Sequence, residues 1–145
     1  MGKRRKGREI VLQSLYASVI SGGDLKVALD DQLARRESAD ETAAFASDLG
    51  AKLAAHRPEL DAWLRALVSR GWSPDRVGVL EKVILTIGLA ELRFSPDVPW
   101  RVIINEALEL TRRYCEPDAV GFVNGVLDAA AAETYPELHG SGGRA

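Results

Sequence analysis

Cysteine occurs once in this chain of 145 residues, and histidine twice. A single thiol, Cys115, cannot close an internal disulfide and suits a reducing, cytoplasmic setting. Metal sites draw several Cys and His ligands from short, regular spacings, and Cys115, His56 and the tail residue His139 do not provide them. Cys115 with His56 could in principle pair as nucleophile and base. No local nucleophile signature surrounds either residue, and a lone cysteine at a helix end is more often inert. The 13 glycines are scattered and form neither a P-loop nor a dinucleotide fingerprint. These gaps point away from catalysis, from a metal and from a cofactor. No apolar run reaches the roughly 18–20 residues that cross a bilayer, and no apolar core follows the basic start as it would in a secretory signal. Strand-like alternation is missing as well.

What remains is helical periodicity. With 46% hydrophobic and 28% charged residues, the composition is that of an ordinary globular domain, large enough to bury a core unaided. Val11, Leu12, Leu15, Tyr16 and Val19 share one face of a first helix, and "SGGD" ends it, with Asp24 placed to cap the next. Leu25, Ala28, Leu29 and Leu33 stripe the second helix. Ser38 and Glu41 have capping-box spacing ahead of a third, carrying Phe45, Leu49 and Leu53. Pro58 divides this helix from a fourth with Leu60, Trp63, Leu64 and Leu67, or else kinks a single helix. "WSPD" starts a fifth, with Ser73 as cap and Pro74 just inside. Its centre, "VILTIGLAEL", is apolar nearly all round, as expected of a helix enclosed by others. A sixth runs from Trp100 to Tyr114, and after "CEPD" a seventh contains "AVGFVNGVLDAAAAE", with Asp118 as its simplest cap. The pattern predicts an all-α fold of about seven helices in one compact domain over 1–137. The glycine-rich segment 138–145 is expected to be a disordered tail.

Charge is distributed unevenly. Lys3, Arg4, Arg5, Lys6 and Arg8 crowd a basic arm over residues 1–8, in a protein whose formal charge is −2; without them it would be −7. Such an arm is either a solubilising terminus or a grip on phosphates. It runs into the first helix without a linker, and Arg5, Arg8 and Tyr16 fall within an arc of about 80° at helical geometry. Cations beside an aromatic ring suit single-stranded RNA, although Tyr16 fits equally well half in the core. The arm has no broad apolar face for a membrane surface. Two polar pairs interrupt apolar helix faces: Asn105 and Glu106 in "VIINEALEL", and Asn124 and Gly125 in "GFVNGVLD". The simplest reading is structural, with the asparagines bridging helices and Gly125 admitting a close neighbour. Phe122 could face the core or a base.

Four segments, "RRKGREIVLQSLY", "WSPDRVGVLEKVILTIGLAEL", "DVPWRVIINEALELTRRY" and "GFVNGVLD", together resemble the NusB family of bacterial transcription antitermination factors, in its order and spacing. The resemblance implies two small helical bundles and no catalytic activity. It implies pairing with NusE, a small-subunit ribosomal protein, and binding of single-stranded boxA RNA in nascent ribosomal RNA transcripts, within the antitermination complex on RNA polymerase. By position, Lys3 to Arg8 and Tyr16 match the family's RNA-facing first helix, and Phe122 an aromatic beside the RNA path. Glu81 and Asp118 match acidic positions at or near the family's NusE-binding surface, a sensible match for a basic partner. Gly121 stands where a basic residue often precedes "FVNGVLD" in the family, and Thr86 and Ala90, within "VILTIGLAEL", replace the Arg and Tyr often found in the family's "ILRxAxxEL".

Two other readings compete. NusB-like helical domains also precede the catalytic domain of certain ribosomal RNA cytosine methyltransferases; the chain reaches Ala145 without a methyl-donor-binding α/β domain, so this reading requires a fragment. The other is a homodimeric helical module whose self-association hides the RNA surface.

Overall fold

The computed structural model describes residues 2–71 and 77–136, and among them every regular element is a helix. These are α1 (Lys3–Ser21), α2 (Leu25–Arg35), α3 (Asp40–Val68), α4 (Val79–Phe94), α5 (Trp100–Tyr114) and α6 (Ala119–Thr134). The all-α expectation holds, with six helices in place of about seven, because the third and fourth expected helices are one element. Pro58 lies inside α3, and the strain is taken up at His56, whose φ of −123° and ψ of 18° leave the helical region. Proline's ring crowds the carbonyl four residues earlier and offers that carbonyl no N–H, so the turn preceding it opens. The expected start of the next helix at Ser73 and Pro74, and the 138–145 tail, lie outside the described residues.

The chain divides into two compact units at Arg57 and Pro58. In the first, α1 packs on α2. Gly22 closes α1 in the left-handed region at φ 76°, with its N–H on the Ser18 carbonyl at 2.8 Å. That conformation suits glycine because it has no Cβ to clash. Asp24 then caps α2, its carboxylate accepting the Val27 N–H at 3.3 Å. The core of this unit comprises Ile10, Val11, Leu12, Leu15, Leu25, Leu29, Ala46, Leu49 and Leu53. Burying each leucine fully is worth about 1.5–3 kcal/mol before conformational entropy is charged against it. Val19, expected on the core face, is exposed together with Ile20. The capping box from Ser38 is also corrected. The first helical bond of α3 runs from the Ala43 N–H to the Ala39 carbonyl, so Ala39 holds the cap position, and Glu41 instead meets Lys3 at 3.6 Å.

In the second unit α4 packs against both α5 and α6, which also pack on each other. Every residue from Val83 to Leu92 is buried, as the apolar "VILTIGLAEL" stretch requires. Thr86 sits within it and donates its hydroxyl to the Lys82 carbonyl at 2.7 Å. Ser14, Thr111 and Thr134 do the same toward Ile10, Ala107 and Ala130. Leu60, Trp63, Leu64 and Leu67, from the later half of α3, are all buried.

The polar pairs do not occupy the places their structural reading required. Asn105 and Asn124 are exposed, and Glu106 and Gly125 are half-buried. The buried stripe of α5 is Ile103, Ile104, Ala107, Leu110 and Thr111, and Asn105 falls outside that arc with the exposed Val102. In α6 the stripe is Ala119, Val123, Val126, Leu127, Ala130 and Ala131, which leaves Asn124 on the solvent side. Neither asparagine is a buried bridge between helices.

Candidate nucleic-acid interface

The basic arm is helix from its third residue. Gly2 is the cap of α1, and the Lys6 N–H already bonds to the Gly2 carbonyl at 3.0 Å. The first turn is therefore Lys3, Arg4, Arg5 and Lys6, with no acidic residue among them. This arrangement opposes the helix dipole, whose positive end favours anions by about 0.3–1 kcal/mol per charge at an exposed site. Cations gathered on that end find no acid within their own turn, and the backbone N–H groups of a helix start favour anions as well.

The five cations do not share one environment. Lys3, Arg4 and Lys6 are exposed and Arg5 is half-buried. Arg8 is only 3% exposed, with its guanidinium 4.9 Å from the centre of the Phe45 ring. Arg4, one turn earlier, stands 5.4 Å from the same ring. Arg8 is thus withdrawn from the solvent-facing set in which its charge alone had placed it. It lies three, four and seven residues before Val11, Leu12 and Leu15, at the centre of their buried stripe, so helical phase carries it inward. Arg5 and Tyr16 lie at the edge of that stripe, and Tyr16 is 38% exposed.

Phe45 is the residue the sequence reading missed here, having taken it only as the head of a core stripe with Leu49 and Leu53. It reaches α1 because Gly7 stands opposite: a Cβ there would lie 2.7 Å from Phe45 Cδ2 and 3.3 Å from the Thr42 carbonyl oxygen. The signal available in the sequence was the pairing of Arg4 and Arg8 at four-residue spacing around a glycine.

The second unit carries the acidic positions. Glu81 is in the first turn of α4, with its carboxylate folded over Gly78 where a Cβ would sit. Negative charge is favoured at this end of a helix, the reverse of the situation in α1. Cys115, at the end of α5, is half-buried, and its thiol is pushed up to about 11, first by burial and then by the neighbouring charge of Glu81. Asp118 follows three residues later, exposed at the cap position of α6. Its backbone is helical there, with φ −71° and ψ −16°, and its side chain makes no capping bond, contrary to the expectation that it caps the helix. Phe122, one turn into α6, is half-buried. Among the described residues no group of three or more His, Cys, Asp or Glu side chains could hold a metal ion, and no helix is long and apolar enough to cross a membrane.

An all-helical fold, with one helix start crowded by cations and another carrying acid, defines a class: a helical binding domain organised by charge. Comparison with known proteins makes the class specific. The NusB family model matches residues 5–132, and the chain belongs to that family, whose members are transcription antitermination proteins and not enzymes. The transcription antitermination protein NusB of Geobacter sulfurreducens is 36% identical over 138 residues, covering 94% of this chain and 99% of that protein. That of Myxococcus xanthus is 34% identical over 135 residues, covering 90% and 96%. Among solved structures, NusB of T. maritima is 28% identical and covers 90% of this chain and 91% of its own, with a TM-score of 0.81. A crystal structure of antitermination factors NusB and NusE with double-stranded RNA shares the fold at 24% identity and a TM-score of 0.80, over 92% of this chain and 98% of that one.

Proposed function

We propose that this protein is a cytoplasmic RNA-binding transcription antitermination factor that grips single-stranded boxA RNA of nascent ribosomal RNA transcripts through the start of α1. It pairs with the ribosomal protein NusE through the acidic surface at Glu81 and Asp118, and so joins the antitermination complex on RNA polymerase. The observation that carries this reading is the first turn of α1: four consecutive cations on the helix end that repels them, beside backbone N–H groups that favour anions. Tyr16 and Phe122 supply rings for unpaired bases. The RNA partner of a solved NusB–NusE assembly is double-stranded; the single-stranded preference rests on the aromatic–cation pairing.

Because Arg8 is buried, it adds no phosphate contact. The four remaining cations give a log–log salt slope of about −2.8 for single-stranded RNA, against about −3.5 had all five contributed. Titration of boxA RNA and a scrambled strand, each with and without NusE, tests the reading. Tighter binding of boxA in the presence of NusE is expected. The double substitution Lys3→Gln and Lys6→Gln should weaken it and flatten the slope by about 1.4. Equal affinity for both strands with NusE present would overturn the reading.

A further inference from the structure

We propose that Phe45 is a positioning residue for the RNA grip: its ring, held under Arg4 and Arg8, fixes the first turns of α1 as helix before RNA arrives. This deepens the RNA-binding reading above and rests on it. A helix start that gathers Lys3, Arg4, Arg5 and Lys6 without an acid is weak by itself, since the charges repel one another and oppose the dipole. The segment is nevertheless helical from Lys3, and α3 supplies contacts to it. The Phe45 ring carries guanidinium groups at 5.4 and 4.9 Å, within the range where the negative face of a ring attracts a cation. Gly7 lets the ring lie directly against the α1 backbone. Lys3 and Glu41 add an exposed tether at 3.6 Å, which contributes little in water.

The division of labour follows from the geometry. Arg8 is consumed as an anchor, buried against the ring, while Lys3 and Lys6 stay exposed for phosphate. Arg4 does both, facing the ring yet remaining exposed. Among the described residues Arg4 meets this ring and forms no ion pair, so its charge stays available to an incoming anion. Pre-forming the helix spares RNA the cost of ordering it, and this raises apparent affinity by the fraction of molecules already competent.

The experiment uses the full chain with Phe45→Leu, which keeps apolar volume but removes the ring face, and Phe45→Tyr, which restores a ring. Amide hydrogen exchange at Lys6, Gly7 and Arg8 reads the anchor without RNA, with Leu15 and Ile87 as internal controls for the folded units. In Phe45→Leu, exchange at the three arm amides should speed up roughly tenfold, the order expected from losing one exposed and one buried cation–π contact, while the controls stay protected. Affinity for boxA RNA with NusE should fall about two- to tenfold at an unchanged salt slope, because ordering is lost and no phosphate contact is removed. Phe45→Tyr should return both readouts to within about twofold of the parent. Unchanged arm protection in Phe45→Leu would overturn the anchor. Lost protection with unchanged affinity would overturn its role in binding, and a flattened slope would recast Phe45 as acting through phosphate contacts. Failure of the unsubstituted protein to bind boxA would instead defeat the RNA reading, leaving the exchange result to judge the anchor alone.

Discussion

Phe45 and Trp63 each lie beneath guanidinium groups, Arg4 and Arg8 over the first and Arg93 over the second at 3.9 Å. Their surroundings differ. Around Trp63 the charges are answered from within: its indole N–H donates to Glu133 at 2.9 Å, Arg70 pairs with the same carboxylate, and Arg93 lies 3.8 Å from Glu59. The cluster ties the later half of α3 to the ends of α4 and α6, and Tyr135 adds a hydroxyl donated to the Leu92 carbonyl at 3.0 Å. Around Phe45 the ring holds the cations, but most of the positive charge beside it still faces solvent. The same pairing of arginine and ring is a closed clasp in one unit and a mount for outward-facing charge in the other. An arginine on an aromatic ring therefore says little about function until the carboxylates around it have been accounted for.

Breaking the clasp should have the largest effect. Trp63 is 8% exposed, and Trp63→Ala should cost about 3–5 kcal/mol, lost packing plus an indole-sized void, seen as a lower midpoint in urea unfolding. A loss below about 1 kcal/mol would mean that the unit is held elsewhere. Next comes Gly7→Ala. Alanine is the better helix former by about 1 kcal/mol, yet its Cβ would press on the Phe45 ring, and overpacking costs about 1–3 kcal/mol. A net loss near 1 kcal/mol is expected, and a gain in stability would show that the ring yields freely and mounts nothing.

The smallest effect concerns Glu133. Burial alone would raise its carboxyl, but hydrogen bonds from Trp63 and Arg70 and the charges of Arg70 and Arg93 outweigh it and hold the group below its usual range. The folded protein thus binds this proton more weakly than the unfolded chain does. Its contribution to stability is complete above the ordinary glutamate value of about 4.3 and disappears as pH falls through the lowered folded value. Glu133→Gln should flatten that acid loss between about pH 3 and 5, by well under 1 kcal/mol because water screens a largely exposed carboxylate. Urea midpoints across that range check it, and an unaltered pH profile would mean that the clasp closes without ionic help.

Much of the fold was legible because apolar spacing decides it. α5 begins at Trp100 and ends at Tyr114 as its pattern implies, and the enclosed character of α4 follows from an uninterrupted apolar run. Pro58 was ambiguous because proline fits the first turn of a new helix as well as a kink in an old one, and only the backbone at His56 separates the two. Asn105 and Asn124 were misplaced for a different reason. Adjacent positions on a helix are about 100° apart, so a polar residue among apolar neighbours in sequence can still face water. Arg8 shows the converse, since its charge suggested solvent while its phase matched Leu12 and Leu15. Phe45 was hidden because its partners lie more than thirty positions away, on another helix; the spacing of Arg4 and Arg8 around Gly7 marks a site for a ring but not which ring fills it.

The hydroxyls of buried Ser14, Thr86 and Thr111 and of half-buried Thr134 each bond a carbonyl of their own helix. A polar group satisfied within its own element places no demand on the residue facing it. Neighbouring helices are then free to exchange one apolar side chain for another over generations without leaving an orphaned donor behind. Thr86 is an instance: it sits buried in the centre of α4, and its hydroxyl is answered by the Lys82 carbonyl of the same helix. Internal self-sufficiency of this kind is one physical route by which a lineage keeps its architecture while most of its letters change.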